Sequence, residues 1–479
     1  MEPPCPVLPD DVIEDIFTRL PASLVLGCRG LSRGWAAALS SDDFVDRHRR
    51  AANRHGGPRF FLFQNLWMAN ITMTHAWSPA RPGTGVVPLP RTTTPLHYPT
   101  IITQHCRGLV LLHGGPVEGS RCVYNPSTGH IALLPPCHWK AGCRHPAQRR
   151  YESFGLGYDA RSGKHKVVRI YYRGDKIPVL VQVYVLDQEG FWRAPAAIDC
   201  PEAKPPGWVS EYEQSVFTHG HVHWMAQKQK PKMDYCWRVT RRGIIVSFSV
   251  ADEAFGVVPL PPRVDYLGDY QLTELEGRLC LFNPIVHRDR RSYNLWLLRG
   301  YEAGAWELRC RIDPNTASPE VARSILSGKA SPVACMDDGD GRRILFMKKS
   351  IKRSAACSCP FAYTPATGNV ERLPYISYEP AMLYEENVVS PGRPHEDILF
   401  SPAATQALCV ALACCPLPPR HLMHLKFVCR SWRAMIESTR FVKLLKARAE
   451  TGADQVLAML LNPPRSRTPI WGTFWNVAN

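Results

Sequence analysis

The sequence has no apolar run long enough to cross a membrane and no common catalytic motif. The longest weakly apolar stretch, residues 403–415, contains Thr405 and Gln406 and is too short to span a bilayer. The start, MEPPCPVLPDD, lacks the basic and apolar regions of a secretory signal. No phosphate-binding loop, dinucleotide-binding glycine pattern or nucleophile elbow is present. We therefore expect a cytoplasmic or nuclear protein that has no membrane partner and no catalytic residues.

Metal-ligating residues occur in clusters too incomplete to predict a metal site. Each of the clusters named next lacks the second group of ligands that a zinc finger has at a fixed spacing. These clusters are Cys137, His138, Cys143 and His145, and the pair Cys357 and Cys359. The run DDGDG at 337–341 lacks the Glu that closes a calcium loop, so a turn is favoured, with a hairpin at Asp340-Gly341. The seventeen cysteines are expected to be reduced and mostly buried. No cofactor is expected.

Three histidines, His219, His221 and His223, alternate along a predicted strand. A strand with one exposed face is the simpler interpretation, and a ligand-binding row is the alternative.

The formal net charge of +16 raises the question of a nucleic-acid partner. The basic residues are dispersed, however, and no basic helix, finger or RNA-binding signature connects them. Their clusters lie at 47–54, 144–150, 238–242, 288–291 and 348–353. A solvated basic surface is the favoured interpretation, and nucleic-acid binding is not expected.

Residues 8–44 carry the clearest helical pattern. Leu8-Pro9-Asp10-Asp11 is a helix start, because Pro disfavours helix before it and Asp suits the first turn. The apolar residues that follow at helical spacing are Val12, Ile13, Ile16, Phe17 and Leu20, then, after Pro21, Leu24, Val25, Leu26, Cys28, Leu31, Trp35 and Leu39. Three short helices of this size rarely bury enough surface to fold alone. They either pack on the following domain or hold an apolar face open for a partner helix.

The middle of the chain repeats a glycine followed by a short apolar strand. This phrase returns at intervals of 51 to 64 residues, at Gly57, Gly108, Gly163, Gly220, Gly277 and Gly341. Two further phrases recur: YNPSTG at 124–129 with YTPATG at 363–368, and a Trp after a turn in GFWR and GAWEL. Strand-rich units of this length predict a β-propeller of about six blades, and an irregular β-sandwich is the alternative.

A partial copy of the N-terminal pattern lies near the other end, at a constant offset of 397 residues. Leu20-Pro21 corresponds to Leu417-Pro418, Trp35 to Trp432, and Phe44 to Phe441. The stretch before Leu417 lacks a Leu-Pro-Asp-Asp start. The copy is therefore either a degenerate structural cap or a second working docking site.

The N-terminal motif resembles an F-box, the segment with which substrate receptors dock on the Skp-type adaptor of cullin–RING ubiquitin ligases. The middle resembles the F-box-associated, kelch-like domain of plant F-box proteins, in the order CRGLVLL, CVYNPSTG, FGLGYDARSGKHKVVRI and IIVSFSVADEAFGVVPLPP. We therefore expect an F-box at 1–55, a propeller at 56–395, a degenerate second F-box at 396–461 and a tail at 462–479. The expected class is α+β multidomain: three N-terminal helices, an all-β propeller and a C-terminal helical segment.

The resemblance implies a non-catalytic substrate-recognition subunit of a Skp–cullin–F-box (SCF) ligase, whose propeller binds an unknown target protein. The implied adaptor contacts are Leu8, Pro9, Ile13, Ile16, Leu20, Pro21, Leu24, Leu31 and Trp35. Some of these must belong to the core of the small domain, with Trp35 as the first candidate. A second F-box would use Leu417, Pro418, Leu422, Val428, Trp432 and Phe441. The alternatives are a ligase-independent interaction scaffold and a propeller that is an enzyme or a sugar binder.

Overall fold

The computed structural model describes most of the chain up to residue 391. The described segments are 10–54, 59–66, 71–79, 86–89, 99–114, 120–135, 151–172, 179–186, 191–197, 199–210, 213–228, 243–262, 264, 270–287, 290–301, 303–313, 330–338, 341–348, 360–373 and 379–391. They divide into two compact units. The helical unit contains residues 10–54 and 386–389, and the strand unit contains the described residues of 59–385 and 390–391. Among the described helices, none is long and apolar enough to cross a membrane.

Four helices form the N-terminal part of the helical unit: α1 (Asp10–Thr18), α2 (Ala22–Arg29), α3 (Arg33–Ala38) and α4 (Asp42–Arg54). The helix start at Asp10 and the three short helices agree with the sequence pattern. The fourth helix was not predicted. Serine side chains cap two of them: the Ser32 hydroxyl accepts from the Trp35 N–H at 3.1 Å, and the Ser41 hydroxyl accepts from the Phe44 N–H at 3.2 Å.

Six antiparallel sheets make up the strand unit, each formed by consecutive strands except where the ring closes. The first is β1 (Arg59–Leu66), β2 (Ile71–Trp77) and β3 (Val87–Pro88), joined by β24 (Glu379–Tyr384). The second is β4 (Thr100–Ile101), β5 (Val110–His113), β6 (Arg121–Tyr124) and β7 (Ile131–Leu133). The third is β8 (Tyr151–Asp159), β9 (Lys164–Tyr172) and β10 (Leu180–Val185).

The remaining sheets complete the set. The fourth is β11 (Trp208–Val209), β12 (Val216–Thr218), β13 (His221–Gln227), β14 (Gly243–Ser249) and β15 (Ala254–Val258). The fifth is β16 (Gln271–Leu275), β17 (Arg278–His287), β18 (Arg290–Gly300) and β19 (Ala305–Ile312). The sixth is β20 (Ala330–Asp338), β21 (Gly341–Lys348), β22 (Phe361–Thr364) and β23 (Asn369–Arg372). The predicted hairpin joins β20 to β21, with Asp338 opposite Gly341.

The sheets are the six blades of a propeller, and five described buried clusters each join two neighbouring blades. One buried cluster joins blades three and four through Val168, Trp224 and Phe248. Further clusters join blades four and five, five and six, six and one, and one and two. The prediction of helices followed by a six-bladed propeller is confirmed.

The ring is closed by the last strand. β24 pairs antiparallel with β1, with Tyr384 opposite Arg59 and Met382 opposite Phe61. The first blade is therefore built from both ends of the propeller sequence, an arrangement that leaves no open edge between the first and last blades.

The repeated glycine marks the same place in the blades. Gly108, Gly163, Gly220 and Gly277 have φ between 68° and 86° and directly precede, or lie one residue from, the second strand of their blade. Such positive φ values are open to glycine without the steric penalty of a Cβ. In these four blades the phrase found in the sequence is thus the hairpin turn that leads into the strand after the glycine, which is β5, β9, β13 or β17.

The Trp-containing phrase forms a link between neighbouring blades. The Trp192 indole donates to the carbonyl of Pro135 at 2.9 Å, and the Trp306 indole donates to the carbonyl of Pro259 at 2.7 Å. Both prolines follow the last strand of the preceding blade. Gly304 makes room for this contact, since a Cβ there would lie 2.8 Å from Pro259.

Candidate functional site

The predicted contact residues of the helical unit fall into a buried and an accessible group. Ile13, Ile16, Leu20 and Leu24 are all buried. Pro21 is exposed, and Leu31 and Trp35 are half-buried. Val12, which continues the apolar pattern on α1, is 40% exposed. The buried group holds the unit together, and the accessible apolar group is Val12, Pro21, Leu31 and Trp35.

Trp35 contacts the core of the helical unit and is also partly exposed to solvent. Its ring meets Phe17 edge to face at a centroid distance of 5.1 Å, and Phe17 is fully buried. Trp35 itself keeps part of its surface accessible. The four buried aliphatic residues, rather than Trp35, are therefore the main core members of the predicted set.

A salt bridge joins α1 and α4 of the helical unit. The Arg47 guanidinium pairs with Glu14 of α1 and with Asp43 of its own helix, the latter at 2.9 Å. The hydrogen bond to Glu14 is the main reason that the pKa of Arg47 is raised.

Residues 386–389 belong to the helical unit and hydrogen-bond to its helices, which the sequence does not predict. Glu386 accepts a hydrogen bond from the Ala22 N–H, 364 residues earlier in the chain. No local pattern in the sequence connects these two positions.

The three predicted histidines converge on one tyrosine of the propeller. His219 lies in the positive-φ turn before β13, not on the strand, because the strand begins at His221. The rings of His219 and His221 stack on Tyr301 at 5.7 and 4.4 Å, and the Tyr301 hydroxyl lies 3.1 Å from His223 Nε2.

The His223 ring is neutral and fully committed to hydrogen bonds. Burial lowers the pKa of His223 to about 3, so Nδ1–H donates to the Val216 carbonyl at 3.2 Å and Nε2 accepts from Tyr301. Ser247 hydrogen-bonds to the phenol in turn. Across the described segments, no group of three His, Cys, Asp or Glu side chains could hold a metal ion.

Buried carboxylates of the propeller are held in their ionised form. Lys166 contacts Asp159 at 3.1 Å and Glu253 at 2.9 Å, and Arg193 contacts Glu253 at 2.6 Å. Burial raises the pKa of both carboxyls, but their hydrogen bonds outweigh it and the net shift is downward. A sugar-cleaving general acid needs a raised pKa, so these two groups are arranged for structure rather than for proton donation.

Several cysteines in the described part of the chain are protonated thiols. Burial raises the pKa of Cys122 and Cys335 to about 12 and that of Cys310 to about 11. A cysteine that passes on an acyl group requires the opposite shift.

Some predicted residues lie outside the described residues. They are Leu8 and Pro9, the cysteines and histidines of 137–145, the pair Cys357 and Cys359, and the second docking set Leu417, Pro418, Leu422, Val428, Trp432 and Phe441.

Comparison with protein families decides what this combination of units is. The model of the F-box associated beta propeller domain matches residues 65–325, more than half of the 479 residues. The chain belongs to this family. The F-box domain model matches residues 6–47 and again residues 410–444. An F-box therefore precedes the propeller, and a second F-box match follows it.

Three similar proteins are F-box proteins by name. The F-box protein At4g22390 of Arabidopsis thaliana is 22% identical over 383 residues, which cover 74% of this chain and 87% of that protein. The F-box protein CPR1 of Arabidopsis thaliana is 25% identical over 317 residues, which cover 61% of this chain and 70% of that protein. The F-box/kelch-repeat protein At4g19930 of the same plant is 23% identical, covering 63% and 69%.

One similar solved structure is a family 117 glycoside hydrolase from Zobellia galactanivorans. It is 11% identical and covers 52% of this chain and 75% of its own, with a TM-score of 0.30. A likeness at this level supports no conclusion about activity.

Proposed function

We propose that this protein is a substrate-recognition subunit of a Skp–cullin–F-box ubiquitin ligase. The F-box docks on a Skp-type adaptor, and the propeller binds a target protein. The observation that carries the proposal is that the F-box keeps four apolar residues accessible. They are the accessible apolar group, Val12, Pro21, Leu31 and Trp35. Accessible apolar side chains of this kind are what a helix-in-groove contact requires.

The role of the chain in ubiquitin transfer is to bring two reactants together. Holding a target lysine near the ubiquitin-charged enzyme raises its effective concentration without any new chemistry on this chain. The raised thiol pKa values and the ionised, paired carboxylates of the propeller support a non-catalytic role.

The test is the affinity of the purified full chain for a purified Skp-type adaptor. Val12→Glu with Leu31→Glu places two charges in the accessible apolar group, and should weaken binding at least about 100-fold, because each lost apolar contact is worth about 1.5 kcal/mol or more. The matched control is Val257→Glu with Leu308→Glu, which makes the same changes at two exposed propeller residues.

Unchanged adaptor binding in the first double variant would contradict this docking surface. If the natural chain does not bind the adaptor, the ligase role is contradicted. The ligase-independent interaction scaffold is then the favoured function. Four of the predicted adaptor contacts are buried and are unsuitable for this test, because charges there would unfold the unit. They are Ile13, Ile16, Leu20 and Leu24.

We further propose that the second F-box, at 410–444, is a structural cap rather than a second docking site. Its sequence lacks the Leu-Pro-Asp-Asp helix start of the first. Light scattering of the complex should then give one adaptor per chain, and none for Val12→Glu with Leu31→Glu. Two adaptors per chain would contradict the cap.

The target itself can be found with the same variant. A receptor that binds its target but not the adaptor should accumulate the target undegraded. We expect mass spectrometry of proteins retained by Val12→Glu with Leu31→Glu to show partners absent from the natural chain when the proteasome is active.

A further inference from the structure

Four residues that follow the propeller, 386–389, are part of the helical unit. We call them the strap. Val388 and Asn387 are fully buried, and the strap makes hydrogen bonds with α2 and α4. The helical unit is therefore assembled from two segments of chain that are more than 300 residues apart in sequence.

Glu386 completes the start of α2. The residue that precedes this helix is Pro21, whose side chain makes no capping hydrogen bond. The Glu386 carboxylate accepts from the Ala22 N–H at 3.0 Å and satisfies one of the first amides of the helix, which have no partner within it. A negative charge at the first turn also suits the helix dipole.

Asn53 holds the strap by its main chain. Its amide nitrogen donates to the Glu386 carbonyl and its amide oxygen accepts from the Glu386 N–H, both at 2.9 Å. This double contact fixes the backbone that carries the capping carboxylate.

Arg29 fixes the other end of α2. Its guanidinium donates to the carbonyls of Leu39 and Val388 at 2.9 and 3.1 Å. Burial lowers the pKa of Arg29 to about 10, which still leaves it charged near neutral pH. Hydrogen bonds from a charged donor are among the stronger ones in proteins, so α2 is bound to the strap at both of its ends.

The strap begins immediately after the strand that closes the propeller. β24 ends at Tyr384, and only Glu385 separates it from Glu386. Five residues that pair with β1 and four residues that complete the helical unit thus lie within one stretch of eleven residues, 379–389.

We propose that the strap is a positioning element of the adaptor-docking surface, and that closure of the propeller ring promotes its formation. The part that concerns the adaptor rests on the function proposed above. Pro21 adjoins Ala22, and Leu31 follows Arg29 by two residues, so the strap holds both ends of the helix that lies between these two members of the accessible apolar group. A chain whose ring is not closed then presents an incomplete F-box and does not deliver its propeller to a ligase.

The first test measures amide hydrogen exchange in α2 and α4 of the full chain without adaptor. Met382→Asp places a charge at a buried position of β24 without changing any helical residue. We expect exchange in α2 and α4 to become at least about tenfold faster. The matched control, Leu272→Asp, makes a similar change at a buried position of β16, whose neighbours in sequence are not part of the helical unit.

Faster exchange in α2 for Met382→Asp but not for Leu272→Asp supports the coupling. Equal acceleration in both variants means general unfolding and overturns it, as does unchanged exchange in both. None of these results depends on the identity of the adaptor, so failure of the ligase proposal leaves this test intact.

The second test isolates the capping carboxylate. Glu386→Ala should raise exchange of the first α2 amides and weaken adaptor binding, each about fivefold. Glu386→Gln keeps an oxygen acceptor, so its α2 exchange rates and its adaptor affinity should both lie close to those of the natural chain. The control Glu385→Ala changes the neighbouring residue of the strand unit and should leave both near the natural values. Equal behaviour of Glu386→Ala and Glu385→Ala would overturn the positioning role, as would failure of Glu386→Gln to restore either property.

Discussion

Gly155 of β8 provides the sharpest test of how the blades pack. A Cβ at this position would lie 2.5 Å from Trp224 Cζ2 and 2.6 Å from Val222 Cγ1, on the facing blade. The first distance is about 0.9 Å less than the 3.4 Å at which ordinary contacts begin. Trp224 is fully buried, and its indole donates to the Phe154 carbonyl at 3.1 Å, so it cannot move away freely. We expect Gly155→Ala to destabilise the propeller by about 2–3 kcal/mol.

A double-mutant cycle with Trp224→Leu identifies the cause of that loss. The smaller side chain removes the closest atoms, so Gly155→Ala should cost at least about 1 kcal/mol less in the Trp224→Leu background. Native-state hydrogen exchange of the β8 and β13 amides gives the opening free energies without assuming two-state unfolding of a chain with more than one domain. A loss below about 0.5 kcal/mol, or the same loss in both backgrounds, would refute the packing argument.

Three further predictions concern a helix, a link between blades and an ion pair. Gly27→Ala in α2 should stabilise the helical unit by about 0.5–1 kcal/mol, seen as slower exchange of α2, because a Cβ there meets nothing within 4 Å. Trp306→Phe should cost about 0.5–1.5 kcal/mol by removing the donor to Pro259, with faster exchange in β19 and no change in β23. Because the folded pKa of Glu253 is lowered, its contribution to stability is present above its ordinary pKa of 4.5 and lost as the pH falls through the folded value. Acid unfolding of Glu253→Gln should therefore depend less on pH in this range, and an unchanged acid transition would contradict the role of this pair.

The propeller could be predicted because its signal is local and repeated. Four of the six repeated glycines mark a turn whose backbone adopts a positive φ, as at Gly108 and Gly277. The residue before the glycine can also adopt a positive backbone φ, as Glu276 does with a φ of 57°. One short phrase therefore encodes the same hairpin in different blades, and counting it gives the number of blades.

The fourth helix was missed because its pattern is mostly polar. Only Phe44 and His48 of α4 are buried, and a histidine counts as polar in an apolar pattern. In the structure the His48 ring is fully buried, with Nε2 at 2.8 Å from the Leu20 carbonyl. The hydrogen bond to this carbonyl, which lies between α1 and α2, explains why a histidine is buried there. The periodicity of apolar residues does not predict such a bond.

The division of the predicted contact residues into core and surface was also beyond the sequence. Ile13 and Val12 are adjacent apolar residues of one helix, yet one is buried and the other is 40% exposed. Periodicity identifies an apolar face, but the width of the part that is covered depends on how the helices pack. The strap is the extreme case, since the cap of α2 comes from a residue 364 positions away.

The two units differ in how their stability is distributed, and this has a consequence for which substitutions the protein tolerates. In the propeller, five described buried clusters join successive blades, so the loss of one loop contact leaves the other interfaces intact, and loops can vary as the proposed target recognition requires. The helical unit is small, and both ends of α2 depend on hydrogen bonds from the strap. Substitutions in the strap should therefore weaken adaptor binding more than substitutions of equal size in the loops of the propeller, although the strap contains only four residues and lies beyond the F-box match at 6–47.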